Sequence, residues 1–401
     1  MGIIFSSFNG LEPSLRFKNF TKKWNSISLK EIGTFQKGAP LSKADISQEG
    51  NPFILYGELY TTYSEVTYNV FRKTNKKVDK IYFSNVGDVI LPTSGETPEE
   101  IATATCIMIP DVILAGDLYI FRQNKIDGRI LSYIINHTVN GKISRIAQGK
   151  SVVHVLSEEL GKIIINYPAN DEQTKIADFL SLIDQRIEKQ RRLVENLKKY
   201  KRGLFLKLYN DSEKKGYKIC DLGKYCATGA LSKDDIDASG KYPCILYGEL
   251  FTKYGEVIKQ VASRTNIIPT YLSGTNEILF PSSTTADAQS LIFPSSLKIK
   301  NIFLGGDLFT IKLKNEFDSD FISYLVNFKY KNTLARYAQG ITIIHLHYTD
   351  IKEQVIDIPN VNTQFNISSV MRKIETIIEM NSNELNSLLL MKKGFLQKMF
   401  I

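Results

Sequence analysis

Cysteine is scarce in this chain, with four residues among 401, and none of the four stands in a CxxC spacing. Cys220, Cys226 and Cys244 fall in the second half of the sequence, at positions where the matching first half has no cysteine. A disulfide or zinc framework would repeat together with the rest of the chain. The cysteines therefore favour a reduced, cytoplasmic protein, and we expect no metal site.

Long hydrophobic runs are also missing, since no stretch reaches the 18 apolar residues that suggest a membrane span. The first residues lack the basic segment and long apolar core of a signal peptide. We therefore expect no membrane partner. Residues 1–14 have no counterpart in the second half, and we interpret them as a leader.

No catalytic motif is complete. Gly149-Lys150-Ser151 resembles the end of a phosphate-binding loop, but Ser144 stands where that loop needs glycine. His345 and His347 could share one strand face, yet only His345 has a counterpart, His154, so a structural role is favoured over a metal site. A duplicated enzyme would keep one catalytic set in both copies. We expect no catalytic residues, and the sequence favours binding over catalysis.

What the chain does have is an ordinary globular composition and an excess of positive charge. Hydrophobic residues make up 43% and charged residues 23%, and 51 Lys and Arg stand against 42 Asp and Glu, giving a net charge of +9. The length allows two or three domains. A basic balance suits a polyanionic partner such as nucleic acid, although it is not specific.

The dominant feature is an internal repeat. Phe53-Ile-Leu-Tyr-Gly-Glu-Leu59 returns as Cys244-Ile-Leu-Tyr-Gly-Glu-Leu250, and further matches recur at an offset of 190 or 191 residues. A repeat of this length indicates two copies of one domain. Short apolar runs punctuated by Gly and Pro predict mixed α/β (α+β) domains. We predict a leader at 1–14, a first domain at 15–168, a central helix at 169–210, a second domain at 211–358 and a C-terminal helix at 359–401.

Each domain is followed by a heptad pattern. The predicted seam comprises Ile176, Leu180, Ile183, Ile187, Gln190, Val194, Leu197 and Leu204 in the first copy, and Ile367, Met371, Ile374, Ile378, Asn381, Leu385, Leu388 and Phe395 in the second. Lys201 and Lys392 are further matched polar seam positions. Helices of about 38 residues span about 57 Å, too long for one small domain to cover. We therefore predict a long antiparallel two-helix coiled coil with pseudo-twofold symmetry, in which Gln190 and Asn381 form a polar layer that fixes the register.

Several of these features resemble one family, the specificity subunits of type I restriction–modification systems. The resemblance covers residues 15–401 and rests on the order of four segments. Its motifs are Leu15-Arg16-Phe17 with Trp24, the steps Pro168–Gln173 and Pro359–Gln364 before the helices, and Lys201-Arg-Gly-Leu204 with Lys392-Lys-Gly-Phe395. One departure is Thr363, which stands where the first copy has Glu172.

The resemblance implies a subunit without catalytic activity that reads a bipartite DNA target. Each domain would be a target-recognition domain for one half-site. The helices would dock two modification subunits, which bind S-adenosylmethionine and methylate adenine at N6, so this chain itself would hold no cofactor. Restriction (motor-nuclease) subunits would join the complex. The alternative is a two-domain coiled-coil scaffold that binds protein without DNA specificity.

The resemblance does not name the DNA-contacting residues, so candidates are loop side chains that suit phosphates or base edges. They are Lys37, Lys43, Tyr56, Glu58, Tyr63, Thr93, Ser94, Thr97 and Gln148 in the first copy, and Lys233, Tyr247, Glu249, Tyr254, Ser282, Ser283 and Gln339 in the second. The repeated Tyr-Gly-Glu has an equally plausible interpretation as a structural turn. The segments that differ most between copies, 94–105 against 283–290 and 67–79 against 258–270, are the better candidates for choosing bases.

Overall fold

The computed structural model describes residues 3–5, 13–149 and 152–400. It contains two compact units, Met1–Arg191 with Asn383–Ile401 (unit 1) and Arg192–Ser382 (unit 2). The central helix spans Asn170–Asn210 and the C-terminal helix spans Val361–Met399. Each unit therefore holds one globular domain, one part of the central helix and one part of the C-terminal helix. Both long helices were predicted, over 169–210 and within 359–401, whereas the domain boundaries themselves stay a prediction.

The globular part of unit 1 is built on a five-stranded sheet and a three-stranded sheet. The five-stranded sheet has the order Gly33–Lys37, Leu118–Gln123, Asp88–Pro92, Thr105–Ile107, Val66–Thr67, and the three-stranded sheet the order Ile113–Ala115, Asn51–Leu55, Arg72–Thr74. Two-stranded pairs join Ile3–Phe5 to Leu15–Phe17, Ser94–Gly95 to Val153–His154, and Asn25–Ser28 to Ile164–Tyr167. Short helical segments occupy Leu29–Ile32, Lys43–Asp45, Glu58–Thr61, Lys80–Tyr82, Pro98–Ile101, Gly128–Ile134, Ile135–Val139, Asn140–Ile146 and Ser157–Gly161.

Unit 2 repeats this architecture. Its five-stranded sheet has the order Gly223–Ala227, Leu308–Leu313, Glu277–Pro281, Ser295–Leu297, Val257–Ile258, and its three-stranded sheet the order Ser263–Thr265, Tyr242–Leu246, Phe303–Gly305. Pairs join Lys215–Lys218 to Val355–Ile358 and Ser283–Thr284 to Ile344–His345. Short helical segments occupy Ile219–Asp221, Lys233–Asp235, Tyr247–Thr252, Ala288–Leu291, Ser319–Leu325, Val326–Tyr330, Lys331–Ala335 and Tyr348–Ile351. The predicted mixed α/β repeat is confirmed.

Part of the predicted leader pairs with the domain, because Ile3–Phe5 lies antiparallel to Leu15–Phe17. Residues 1, 2 and 6–12 of that segment lie outside the described residues. The role of residues 1–14 as a separate leader stays a prediction.

A buried glutamine fixes each helix start to its domain. The Gln173 side-chain amide donates to the Pro168 carbonyl (2.9 Å), and its Oε1 accepts from the Asp127 N–H (2.7 Å). In unit 2, Gln364 makes the matching bonds to Pro359 and Asp318, both at 2.9 Å. Backbone groups buried at a helix start need such partners. The Pro-to-Gln step noted in the sequence is thus a structural joint.

The departure at Thr363 also has a structural meaning. In unit 1, Glu172 forms a buried two-bond ion pair with Arg16, at 2.9 Å to Nε and 2.7 Å to Nη2. This pair ties the strand Leu15–Phe17 to the first turn of the central helix, where a carboxylate also suits the helix dipole. Because unit 2 has Thr363 at the matching position, its helix start lacks this carboxylate.

The two long helices pack antiparallel within unit 1. The rings of Phe179 and Phe395 meet edge to face with centroids 5.0 Å apart, and Arg186 Nη2 lies 3.1 Å from Glu384 Oε1. Residue numbers therefore increase along the central helix while those of the contacted residues on the C-terminal helix decrease. In unit 2, Lys201 of the central helix contacts Glu375 of the C-terminal helix. The predicted antiparallel pairing of the two helices is confirmed.

All predicted seam residues are buried or half-buried. The seam has a second partner that the heptad pattern did not predict. Ile176 and Leu180 belong to the core of the unit 1 domain, and Ile367 and Met371 belong to that of unit 2. The first turns of each helix thus pack on the domain as well as along the other helix. Gln190 and Asn381 are half-buried, and their mutual polar layer stays a prediction.

A buried lysine joins three segments of unit 1. Lys392 Nζ, on the C-terminal helix, lies 2.7 Å from Glu65 Oε2 of the domain and 2.8 Å from Asp184 Oδ1 of the central helix. The lysine also lies 5.7 Å from the centre of the Tyr133 ring, and the Tyr133 hydroxyl donates to Asp184 (2.8 Å). We call Lys392, Glu65 and Asp184 the unit 1 triad. It holds the domain on both helices.

Unit 2 builds the same triad with the helices exchanged. Lys201 Nζ, on the central helix, lies 2.9 Å from Glu256 Oε2 of the domain and 3.2 Å from Glu375 Oε1 of the C-terminal helix. Its ammonium lies 5.5 Å from the ring centres of both Tyr324 and Phe328. All three charged positions match those of unit 1 at an offset of 191. Lys201, Glu256 and Glu375 form the unit 2 triad.

Candidate nucleic-acid interface

Several loops of unit 1 meet at one edge of the five-stranded sheet. The Thr93 N–H donates to the Asp117 carbonyl (2.8 Å), and the Ser94 hydroxyl donates to the Asp117 carboxylate (3.1 Å). Next to them, Gln148 and His154 exchange backbone hydrogen bonds at 2.9 and 2.8 Å. A cleft lined by residues 37–42, Thr93 and residues 116–118 opens beside them. We call residues 37–43, 93–97, 116–117, 148–149 and 152–154 the unit 1 loop edge.

Unit 2 has the same hydrogen-bonded frame. The Ser282 N–H donates to the Asp307 carbonyl (2.8 Å), and the Ser283 hydroxyl donates to the Asp307 carboxylate (2.8 Å). Gln339 and His345 exchange backbone bonds at 2.9 and 2.7 Å. Residues 228–233, 282–287, 306–307 and 339–345 form the unit 2 loop edge. Turns at Gly116 (φ +78°) and Gly306 (φ +80°) require glycine in both units.

Many of the predicted contact residues come together on these edges. Exposed members are Lys37, Lys43, Thr97 and Gln148 in unit 1, and Lys233 and Gln339 in unit 2; half-buried members are Thr93 and Ser282. Tyr56 lies against the loop edge, since a Cβ placed on Gly116 would be 3.3 Å from its ring. Tyr247 takes the matching place beside Gly306, at 3.5 Å. These side chains supply the cations, hydroxyls and amides that bind phosphates and base edges.

Other predicted contact residues are turned inward. Glu58 is 6% exposed, accepts from the Leu55 N–H (3.1 Å) and pairs with Arg72 (2.6 Å). Glu249 is equally buried and pairs with Lys253 (2.7 Å). The Tyr-Gly-Glu motif is therefore built as a structural turn, and we leave both glutamates out of the proposed interface.

The buried serines and the second pair of tyrosines also hold the frame. Ser94 and Ser283 are each 3% exposed because they bond to their aspartates. The Tyr63 hydroxyl accepts from the Phe71 N–H (3.4 Å), and the Tyr254 hydroxyl accepts from the Ala262 N–H (3.0 Å). Burial raises the pKa of Tyr63 to about 12, which keeps its hydroxyl protonated. These residues position the candidate interface.

His345 and His347 lie with their rings stacked at 6.2 Å, and both are exposed. Within residues 3–5, 13–149 and 152–400, no group of three or more His, Cys, Asp or Glu side chains is arranged to hold a metal ion. Among the helices in the same ranges, none combines the length and apolarity that a membrane crossing requires. Lys150 and Ser151 of the incomplete phosphate-loop motif lie outside the described residues.

Sequence comparison identifies the family to which the two repeated domains belong. Residues 21–197 and 211–390 both match the family described as the Type I restriction modification DNA specificity domain. The chain belongs to this family. It carries two DNA specificity domains of a type I restriction–modification system, and DNA target recognition is the function of that family. No curated protein matches the sequence significantly.

Solved structures agree with the family at the level of the fold. The S subunit of a type I restriction–modification system from M. genitalium is 16% identical, with a TM-score of 0.61, over 97% of this chain and 99% of that chain. A chain from a structure entitled "Structural basis underlying complex assembly and conformational transition of the type I R-M system" is 12% identical, with a TM-score of 0.54, over 95% of this chain and 98% of that one. Both are full-length matches to the domain-and-helix plan.

Sequence reasoning missed the carboxylates of the two triads. Glu65 and Glu256 were visible as a repeated residue, and Asp184 and Glu375 are acidic at the same offset of 191. The sequence signal for the triads was that two acidic positions recur at the same offset as the two seam lysines. Matching each buried lysine to two repeated acids could have found the triads.

Proposed function

We propose that this chain is the non-catalytic DNA-recognition subunit of a type I restriction–modification complex, in which each unit reads one half of a bipartite target. The observation that carries the proposal is the shared frame of the two loop edges. Both units hold their edges with the same serine–aspartate bond and the same Gln–His backbone pair. Lys43 and Gln148 recur as Lys233 and Gln339, but Lys37 is matched by Ala227 and Thr97 by Asp287. Two readers of different half-sites require such differences among their exposed side chains.

The long helices are the proposed docking sites for two modification subunits, which carry S-adenosylmethionine and methylate adenine at N6. Exposed apolar side chains on the helices support a protein partner there. Leu182 is 63% exposed and Leu390 71% exposed in unit 1, and Met380 is 66% exposed in unit 2. Restriction (motor-nuclease) subunits would join this assembly.

Methylome sequencing tests the proposal most directly. A host lacking other methyltransferases receives this chain together with the modification subunit of its own system. We expect one new bipartite motif, methylated on adenine, that is absent when either component is left out. A host that expresses both proteins as a stable complex and gains no motif would contradict the function.

Exchange of one segment tests the assignment of the half-sites. Residues 94–105 are replaced by the matching segment that begins at Ser283. Both segments start at a serine bonded to aspartate and carry a capped short helix, with Thr97 capping Pro98–Ile101 and Asp287 capping Ala288–Leu291. We expect one half of the methylated motif to change and the other half to stay. An unchanged motif would remove this segment from sequence choice.

A protein-binding scaffold without DNA specificity is the second candidate, and the exposed helix residues alone would suit it. The two candidates differ in their response to salt. Specific DNA binding through phosphates weakens steeply as salt rises. A complex with the modification subunit that binds all duplexes equally and weakly at low salt would favour the scaffold.

A further inference from the structure

The unit 2 loop edge ends in a tight turn that presents one apolar side chain. Gln339 and His345 close the turn through two backbone hydrogen bonds. Gly340 has φ +126°, and a Cβ there would lie 2.0 Å from the Ile343 carbonyl oxygen, so only glycine fits. Ile341 follows at the tip and is 99% exposed. The backbone of the turn is therefore well defined, and the side chain at its tip, Ile341, is exposed to solvent.

This exposure is extreme for the molecule. Single exposed apolar residues are common on protein surfaces. In the described part of the chain, however, no other large hydrophobic side chain is as exposed as Ile341, and its neighbour Ile343 is 49% exposed. Two aliphatic side chains thus share one turn. A partner that buries them would remove this surface from water.

The turn is physically part of the candidate nucleic-acid interface. Its last residues pair with the segment that begins the predicted base-choosing region, with Ser283 opposite His345 and Thr284 opposite Ile344. Ser282 accepts a hydrogen bond from the Leu346 N–H (2.9 Å). Any duplex bound at Ser282, Lys233 and Gln339 would come within reach of the tip. Continuity with this edge identifies DNA as the partner.

Unit 1 shares the first glycine and the closing backbone pair of this turn, with a different sequence between them. Gly149 has φ +138°, and a Cβ there would lie 1.9 Å from the Val152 carbonyl oxygen. The sequence reads Gly149-Lys-Ser-Val152 in unit 1 and Gly340-Ile-Thr-Ile343 in unit 2. The glycine and the closing Gln–His pair are shared, whereas the residues between them are not. This pattern fits a common support for two different reading groups.

We propose that the Gly340–Ile343 turn enters the major groove of the unit 2 half-site and that Ile341 contacts a thymine through its C5-methyl group. Thymine is the base that presents a methyl group in that groove, and apolar side chains recognise it by contact. The proposal rests on the proposed function and names one of its base contacts. Ile341 would thereby be a specificity-determining residue.

The test uses the full chain in complex with its modification subunit. Methylome sequencing supplies the motif, and the segment exchange above assigns the unit 2 half-site. Binding is measured by competition on duplexes in which each thymine of that half-site is replaced in turn by uracil, which lacks only the methyl group. For the unchanged protein, one replacement should weaken binding about fourfold, the effect of losing one buried methyl group.

Ile341→Ala should weaken specific binding about fivefold or more, and it should make binding insensitive to that same uracil. Val355→Ala is the matched control, because Val355 is an aliphatic residue of unit 2 that is 55% exposed away from the loop edge. The control should bind and respond to uracil as the unchanged protein does. Since Ile341 is 99% exposed and Val355 is 55% exposed, both variants should fold normally.

Three results would overturn the inference while leaving the proposed function intact. They are a unit 2 half-site without thymine, an Ile341→Ala protein that binds like the unchanged protein, and a weakened variant that keeps its full sensitivity to uracil. A complex that binds no duplex specifically would overturn the proposed function and this inference together.

Discussion

The two units place the same three charges in the same positions but take them from opposite helices. In unit 1 the lysine comes from the C-terminal helix and its acid, Asp184, from the central helix. In unit 2 the lysine comes from the central helix and its acid, Glu375, from the C-terminal helix. Because the helices are antiparallel, an internal repeat produces this exchange automatically. Each unit is thus completed by a helix that the sequence places beside the other domain.

The two triads nevertheless differ in the residue that lies beside the glutamate of the domain. His137 lies beside the unit 1 triad, with Nε2 2.7 Å from Glu65 Oε1, whereas Phe328 stands at the matching position of unit 2. Burial alone would raise the pKa of Glu65, but the hydrogen bond from His137 and the charge of Lys392 outweigh it and hold the pKa at about 2. In unit 2, the effect of burial is larger than the opposing effect of the Lys201 charge, so the pKa of Glu375 is raised. The unit 1 triad is the better satisfied of the two.

The largest expected effect comes from removing each lysine. Lys201→Met and Lys392→Met each leave two carboxylates, which are 10–18% exposed, without their cation. Breaking a buried ion pair costs about 3–5 kcal/mol. Glu65 would keep its hydrogen bond to His137, whereas Phe328 stands at the matching position of unit 2. We therefore expect Lys201→Met to destabilise unit 2 more than Lys392→Met destabilises unit 1.

The single tryptophan makes this difference measurable. Trp24 belongs to unit 1 and packs 6.3 Å from the Phe400 ring, so its fluorescence reports unit 1, while circular dichroism reports both units. Lys392→Met should lower the fluorescence midpoint in urea, and Lys201→Met should lower chiefly the dichroism midpoint. Lys199→Met and Lys393→Met remove exposed lysines as controls. Equal, small losses in all four variants would refute the importance of the triads.

Lowering the pH should produce a smaller difference in stability between the two units. The folded pKa of Glu65, about 2, lies below its ordinary value of 4.5, so its stabilisation is complete above pH 4.5 and is lost as the pH falls toward 2. At 1.36 kcal/mol per pKa unit this amounts to about 3 kcal/mol at most. The raised pKa of Glu375 acts in the opposite direction, since protonation relieves its burial. Between pH 5 and 3, the fluorescence midpoint should fall further than the dichroism midpoint; a reversed order would contradict this assignment.

The comparison also shows what the sequence could predict. The spacing of Ile176, Leu180 and their counterparts predicted the long helices, because a heptad period is a local property of the chain. Lys201 and Lys392 were predicted only as polar seam positions. Their acids come from other segments, and which acid reaches which lysine depends on the antiparallel register and on how the domain packs. Such non-local contacts leave no spacing signal in one segment.

The candidate interface also contains some features that the sequence could predict and others that it could not. Exposed Lys37, Lys43 and Gln148 were predicted from residue type and position in loops. Residue type could not show that Glu58 and Ser94 point inward, because their partners, Arg72 and Asp117, are respectively 14 and 23 residues away in the chain. A repeated polar residue therefore indicated the shared frame, whereas exposure had to come from the fold.

The smallest effect comes from the residue beside Glu65, which differs between the two units. His137→Phe gives unit 1 the residue that unit 2 carries and removes the strongest hydrogen bond that lowers the Glu65 pKa. A hydrogen bond to a charged group contributes about 1.5–3 kcal/mol, and the histidine side chain is 30% exposed, so we expect a loss of about 1 kcal/mol at pH 7.

The same substitution should reduce the acid sensitivity of the Trp24 fluorescence, because Glu65 would then titrate closer to its ordinary value. His137→Gln keeps a donor for Glu65 and should restore much of the stability. If the Phe and Gln variants lose equal stability, ring packing on Tyr133, 6.5 Å away, rather than the hydrogen bond is the role of His137. The hydrogen bond from His137 would then give the unit 1 triad no advantage over the unit 2 triad.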